Sequence, residues 1–248
     1  MKSIGIDGCR AGWLAAIWDS ASQQLEFSLS GELALLIQSL PEEAPIFIDM
    51  PLGLPTADAP IRACDVEAQR LLGHKLRARV FHPPIRETFG TTNYTTACNI
   101  SRELTGKAFS IQAWNITPKI IQLDTLLREQ PELSKRLHES HPEICFMHLS
   151  TPPEPIFANK KTDYGADSRL ARIAAHAPEM GRQLQKNTGR FRSTEALLDD
   201  MLDATVLALC ANNPRQWSAF PEGPPTDDYG LPMRMSYWAA AGETLVTS

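Results

Sequence analysis

The chain has 248 residues, 43% of them hydrophobic and 21% charged, with a net charge of −5. That length supports a sizeable core in one domain with an insertion, or in two small ones. The acidic balance excludes a global attraction to nucleic acid or to an anionic membrane, so a phosphate-bearing partner would have to meet a local basic patch.

Three strands open the chain. The first spans about Ser3 to Asp7 in Ile4-Gly5-Ile6-Asp7-Gly8-Cys9-Arg10-Ala11-Gly12-Trp13, the second Gly12 to Asp19, and the third Leu25 to Leu29. Short gaps between them imply antiparallel hairpins. Apolar residues at 33, 36, 37 and 40 give the helical period over Gly31 to Leu40. Ile46-Phe47-Ile48-Asp49, set off by Pro45, then suits a buried central strand. A right-handed crossover through the helix places this strand beside the first one. Asp7 and Asp49 then share one end of neighbouring strands. Asp7 admits two readings, as the cap of a tight turn or as a buried carboxylate that needs a cation, a metal or backbone N–H groups.

Residues 55–115 differ in character, with Pro55, Pro60, Pro83 and Pro84, many polar positions and one clear helix over Asp65 to Leu72. They read as an insertion or cap within a single domain covering 1–248. Arg62, Arg70, Arg77, Arg79 and Arg86 stand there beside His74, Lys75 and His82. The cluster could bind phosphate or form a solvated charged face. A helix is expected just after Pro118, where proline is tolerated. Glu139 to Met147 reads as a strand, which Pro142 requires to lie at a sheet edge or to begin at the proline. A helix over 166–187 should break at Pro178. The last helix is expected from Thr194 to Ala211, capped by Ser193 or Thr194, and a short strand over Leu231 to Met235 follows it.

That last helix is apolar nearly all round, yet Asp199, Asp200 and Asp203 share one arc of it. Like charges at this spacing repel, so a metal explains a buried acidic arc better than helix design does. An exposed acidic patch near the helix N-terminus is the other reading. The five cysteines at 9, 64, 98, 145 and 210 form no C-x-x-C pair. They argue for reduced thiols in a cytoplasmic setting, against a disulfide framework and against a thiolate zinc site. His138, His141 and His148 lack zinc spacing. No apolar run approaches the roughly 20 residues of a membrane span, so no membrane partner is expected. The early first strand argues against a signal peptide.

The order βββαβαβα with acids at these places resembles the ribonuclease-H-like fold. The resemblance implies an α/β architecture with a mixed five-stranded sheet in the order 3-2-1-4-5, flanked by helices, with the insertion after the fourth strand. It also implies a pair of Mg²⁺ or Mn²⁺ ions held by carboxylates, which activate water and stabilise the leaving oxygen of a phosphodiester. A closer resemblance, covering nearly the whole chain, rests on several segments in order. They are Gly5 to Trp13, Ile48-Asp49-Met50-Pro51-Leu52-Gly53-Leu54-Pro55, Arg62-Ala63-Cys64-Asp65 and Val80-Phe81-His82-Pro83-Pro84-Ile85-Arg86, then Gln112-Ala113-Trp114, Pro118-Lys119-Ile120, His141-Pro142-Glu143 and Asp200-Met201-Leu202-Asp203-Ala204. These are similar to the domain-of-unknown-function 429 family, described as predicted ribonuclease-H-like nucleases. Ala11 stands where that family often has a second glycine.

Carried onto this chain, the resemblance implies Asp7, Asp49, Glu143 and Asp203 as catalytic metal ligands, with Asp200 in reserve. Arg10, Arg79, Arg86, Lys119 and Lys160 are the candidates for substrate phosphate. Trp114 could stack on a base or belong to the core. The expected activity is phosphodiester hydrolysis, with nucleic acid as partner through a local basic patch. The alternatives are a non-catalytic nucleic-acid or nucleotide-binding protein, and phosphoryl transfer of the actin-like or sugar-kinase-like kind. The oligomeric state stays open, a homodimer included.

Overall fold

The computed structural model describes residues 1–239. The chain divides into two compact units. The first takes Met1–Asp49, Arg136–Ala219 and the stretch from Ser236 onward, and the second takes Met50–Lys135 and Phe220–Met235. The expected 55–115 insertion falls inside the second unit, which also takes residues 116–135 and a late stretch of chain.

The first unit is built on a five-stranded sheet in the order β3-β2-β1-β4-β5. Its strands are β1 (Lys2–Cys9), β2 (Gly12–Asp19), β3 (Gln24–Ser30), β4 (Ile46–Ile48) and β5 (Leu137–Glu139). β1, β2 and β3 pair antiparallel, and β4 pairs parallel with both β1 and β5. Between β3 and β4 lies α1 (Leu33–Ser39), whose buried residues Leu33, Leu36 and Ile37 keep the predicted spacing. The mixed order follows from the connections. Tight hairpins leave their strands antiparallel, and a helical crossover returns the chain parallel.

The second unit is mainly helical, with α2 (Ala63–Leu76), α3 (Tyr94–Thr105) and α4 (Ile111–Glu129). α4 corrects the expectation of a helix starting after Pro118. The Ser110 side chain caps it by accepting from the Ala113 N–H at 3.1 Å, and Pro118 lies inside it. A good cap plus a buried stripe through Ala113, Thr117, Ile120 and Leu123 outweighs the one hydrogen bond a proline removes.

The chain returns to the first unit with β5, the sheet edge, and then α5 (Pro142–His148). This corrects the strand expected over Glu139 to Met147, and with it the placing of Glu143 on a strand. Pro142 takes the first helical position, where its missing N–H is not needed. His141 is the N-cap, its Nδ1 accepting from the Glu143 N–H at 3.2 Å. α5 is buried from end to end, so its apolar run has neither the period of a surface helix nor the alternation of a half-buried strand. α6 (Asp163–His176) and α7 (Pro178–Lys186) realise the predicted break at Pro178.

α8 (Leu198–Ala211) starts four residues later than expected. Glu195 lies ahead of it. Its carboxylate accepts from the Arg192 N–H in a preceding turn at 2.8 Å. Asp200 instead reaches back to the Leu197 N–H at 2.7 Å, so the helix is capped from within. A two-stranded sheet of β6 (Trp217–Phe220) and β7 (Met235–Trp238) follows. β7 starts where the expected Leu231–Met235 strand was to end, and within that stretch only an isolated bridge joins Thr226 to Pro232.

Candidate functional site

Register and one glycine bring the acids together. In the parallel β1–β4 pair Ile6 stands opposite Ile48, and the Asp49 N–H donates to the Ile6 carbonyl at 2.9 Å. Asp7, still inside β1, and Asp49, just past β4, are each one residue further on and therefore stand at the same end of the β1–β4 pairing. Gly5 faces α8 with no space to spare, since a Cβ built there would lie 2.0 Å from the Ala204 carbonyl oxygen and 2.4 Å from the Ala208 nitrogen. Residues 5 and 7 share one side of the strand. The close approach at Gly5 thus sets Asp7 against the first turns of α8, which carry Asp199, Asp200 and Asp203.

The carboxylates raise one another's affinity for protons. Asp7 is held well above the usual range by its burial and by Asp203 and Asp49, against the pull of Lys160. Burial likewise raises Asp49, which Glu143 reinforces and His141 and Lys160 oppose. Asp203 is pushed up to about 6, chiefly by burial, although Lys160 favours its charge. Asp7 does accept the Gly8 N–H at 2.8 Å, as the turn-cap reading expects. A turn cap alone has no need of burial among like charges.

One cation stands among them. Lys160 Nζ is 2.5 Å from Asp203 Oδ2 and 4.0 Å from Asp199 Oδ2. Burial opposes its charge, but Asp203, Asp7 and Asp49 outweigh that and push its pKa upward. Its backbone is fixed by Gly165, where a Cβ would lie 1.9 Å from the Asn159 carbonyl oxygen. The Asn159 carbonyl also accepts from the Thr162 N–H and hydroxyl. Thr162 in turn caps α6 by accepting from the Gly165 N–H.

The two remaining expected ligands have other partners. Glu143 Oε1 accepts from Arg169 Nη2 at 2.7 Å, within a pair that is almost wholly buried. Arg169 also donates to the carbonyls of Ala158 and Gly165. Asp200 caps α8, and both the Leu197 N–H and Arg10 favour its charge against the effect of burial. Arg10 itself donates to the Ser193 carbonyl at 2.8 Å. After these commitments Asp7, Asp49 and Asp203 remain as the set that could hold a metal. Asp203 Oδ1 is buried with no hydrogen-bond partner among the described residues, which fits a group awaiting a cation.

The other expected phosphate contacts, Arg79, Arg86 and Lys119, belong to the second unit. Arg86 is committed there, pairing with the buried carboxylates of Asp124 and Asp227 and lying over the Tyr229 ring. Within the insertion's basic cluster, Arg62 pairs with Asp65 and Arg70 with Glu67. Local acids have therefore neutralised much of the positive charge that the sequence suggested. Trp114 is half-buried, 6.2 Å from the Tyr94 ring, and lines a cavity of about 290 Å³ with Phe89, Pro118 and Ile121. The histidines have separate settings: His138 lies 5.0 Å from the Trp217 ring and His148 4.3 Å from that of Tyr237.

Arg169 was not among the sequence candidates. It sits on the inner stripe of α6 with Ala166 and Ile173, and an arginine at an apolar position of an amphipathic helix signals a buried acidic partner.

The sheet order and flanking helices, with acids at the ends of β1 and β4 and in α8, define an α/β protein of the ribonuclease-H-like fold. The chain belongs to the family described as "Protein of unknown function (DUF429)", which matches residues 5–226. No curated protein and no solved structure matches it. Among the described residues no helix is long and apolar enough to cross a membrane.

Proposed function

We propose that this protein is a metal-dependent phosphodiester hydrolase, a nuclease, using Mg²⁺ or Mn²⁺ at Asp7, Asp49 and Asp203. The observation that carries the reading is the convergence of these three carboxylates from separate elements, where burial raises the proton affinity of all three, Asp203 and Asp49 add to it at Asp7, and Asp49 adds to it at Asp203. Such an arrangement is unfavourable for folding alone and becomes favourable when a divalent cation is bound. When bound, the metal supplies Lewis-acid polarisation of the phosphate and a water acidic enough to attack it.

The chain's own residues orient and neutralise. Asp7 and Asp49 offer oxygens from two rigid adjacent strands, and Asp203 offers its unpartnered Oδ1. Lys160 among the acids and Arg10 acting on Asp200 supply positive charge for a phosphate backbone. Glu143 acts one step back, through its pair with Arg169. The partner is a nucleic acid, and the setting is cytoplasmic, in keeping with five buried cysteines that form no disulfide.

The test is incubation of labelled single-stranded, duplex and branched DNA and RNA with Mn²⁺. Cleavage by the wild type, abolished in Asp7→Asn, is expected. Binding of these substrates without cleavage would assign the protein to the non-catalytic class. Stabilisation by ATP with no effect of nucleic acid would favour phosphoryl transfer.

A further inference from the structure

The ribonuclease-H-like resemblance implies two divalent ions, but the side chains of this site fit one. Of the five acids expected as ligands, Glu143 is matched by Arg169 at 2.7 Å, both nearly inaccessible to solvent. Asp200 is spent on the Leu197 N–H at the start of α8. Asp199 lies in the same first turn, where the helix N-terminus favours carboxylates, and Lys160 stands 4.0 Å from it. That leaves Asp7, Asp49 and Asp203, with Lys160 already bound to Asp203 Oδ2 at 2.5 Å. Three carboxylates against one ammonium leave two negative charges, which a single divalent ion neutralises.

We propose that Lys160 permanently occupies the position of a second cation, so that the site takes one divalent ion, on Asp7, Asp49 and Asp203 Oδ1, with the Lys160 ammonium on Asp203 Oδ2. The proposal rests on the metal-binding reading above and specifies its stoichiometry. Two observations beyond the acidic cluster carry it. Asp203, 2% exposed, presents one oxygen to Lys160 and keeps the other, buried Oδ1 without a hydrogen-bond partner among the described residues. In addition, Lys160 is not on a free surface loop. The Asn159 carbonyl is packed against Gly165 with no space for a Cβ, and it accepts two hydrogen bonds from Thr162. A lysine held at both backbone and ammonium is built in as a fixed positive charge. Lysine suits this place because its compact ammonium is a point charge like a metal ion, whereas a guanidinium is a planar fork.

The consequence for chemistry is a division of roles. The single ion would sit on the Asp7–Asp49 side. The ammonium would offer its remaining N–H groups to a phosphate oxygen, a contact that needs no second metal.

The test counts Mn²⁺ by equilibrium dialysis and reads the Mn²⁺ electron paramagnetic resonance spectrum, where two ions a few ångströms apart give a coupled, broadened signal. Wild type should bind one Mn²⁺ per chain and show an uncoupled spectrum. Lys160→Met should bind two and show coupling, and Lys160→Arg, which keeps the charge, should bind one. Two ions in the wild type, or one in a folded Lys160→Met, overturn the inference and leave the metal-binding reading standing. No bound Mn²⁺ in the wild type overturns both. If Lys160→Met fails to fold, the wild-type count and spectrum still decide.

Discussion

Replacing Gly5 by alanine probes the contact on which the whole site depends. The added methyl would sit 2.0 Å from the Ala204 carbonyl oxygen and 2.4 Å from the Ala208 nitrogen. Unstrained non-bonded atoms stand roughly 3.5 Å apart, so α8 must retreat from β1 by about 1.5 Å near Ala204. The obstructing atoms are helix backbone and cannot rotate aside. The penalty therefore falls at the upper end of the range for overpacked cores, about 3 kcal/mol. For a protein of this size that lowers Tm by roughly 6–12 °C. Asp203 precedes Ala204 and moves with it, while metal–ligand distances tolerate only about 0.2 Å. Gly5→Ala should accordingly lose most of the Mn²⁺-induced rise in Tm as well as stability. The assay is thermal unfolding followed by circular dichroism, with and without Mn²⁺. A variant whose Tm lies within about 1 °C of wild type, with an undiminished Mn²⁺ shift, would refute the packing argument.

Four further outcomes are expected. In metal-free protein, folded Asp203 titrates near 6 against an ordinary 3.8, so it binds a proton more tightly than in the unfolded chain. Its contribution to stability is then lost as pH rises from about 4 to about 6, by on the order of 3 kcal/mol, and Asp7 and Asp49 act in the same direction. Asp7→Asn, which keeps an oxygen for the Gly8 N–H, should be more stable than wild type at pH 8 without metal and lose that advantage at pH 4. Urea titrations that show no such gain would contradict the raised proton affinity. Arg169→Met strands the buried Glu143 carboxylate and should lower unfolding free energy by about 3–5 kcal/mol, most of it recovered in the double variant with Glu143→Gln. Failure of that recovery would mean the pair is not the main partner of either residue. Arg86→Ala, by stranding Asp124 and Asp227, should destabilise by a similar 3–5 kcal/mol, read by denaturant unfolding, and a neutral effect would return Arg86 to the pool of substrate contacts. Gly165→Ala forces the Asn159 carbonyl away and so displaces Lys160. It should change Mn²⁺ affinity as well as Tm, and an unchanged affinity would show that Lys160 reaches the acids by side-chain flexibility alone.

The strands were readable because their chemistry is local. Asp7 and Asp49 each follow a run of small or apolar residues in β1 and β4, and the spacing of the β1–β3 hairpins leaves little choice of pairing. Asp203 was readable for a similar reason, as a charge on a helix with no polar face to hold it. The segment around Pro142 was not, because a proline can begin a helix or stop a strand, and only the cap supplied by His141 decides between them. Pro118 misled in the opposite sense, since the cap at Ser110 that carries α4 through it lies two turns upstream. The ion pairs were the least legible part. Arginines are visible in a sequence, but their partners are tertiary. Arg86 finds Asp227 across 141 positions and Arg169 finds Glu143 across 26. Several residues that looked like an anion-binding surface are thereby consumed inside the fold.

The seating of α8 on β1 has a consequence for how the molecule comes into being. The helix that carries Asp203 lies late in the chain, and the strand that carries Asp7 is the first element of it. Loop closure over such a separation is slow compared with local pairing. A ribosome will therefore have released the β1–β3 meander well before α8 exists to cover it, and Asp7 spends that interval without Asp203. Whatever the site does, it cannot begin before α8 has been made, and metal affinity should appear late in the folding of the first unit. If the site binds metal as proposed, Mn²⁺ uptake would serve as a clock for completion of the first unit.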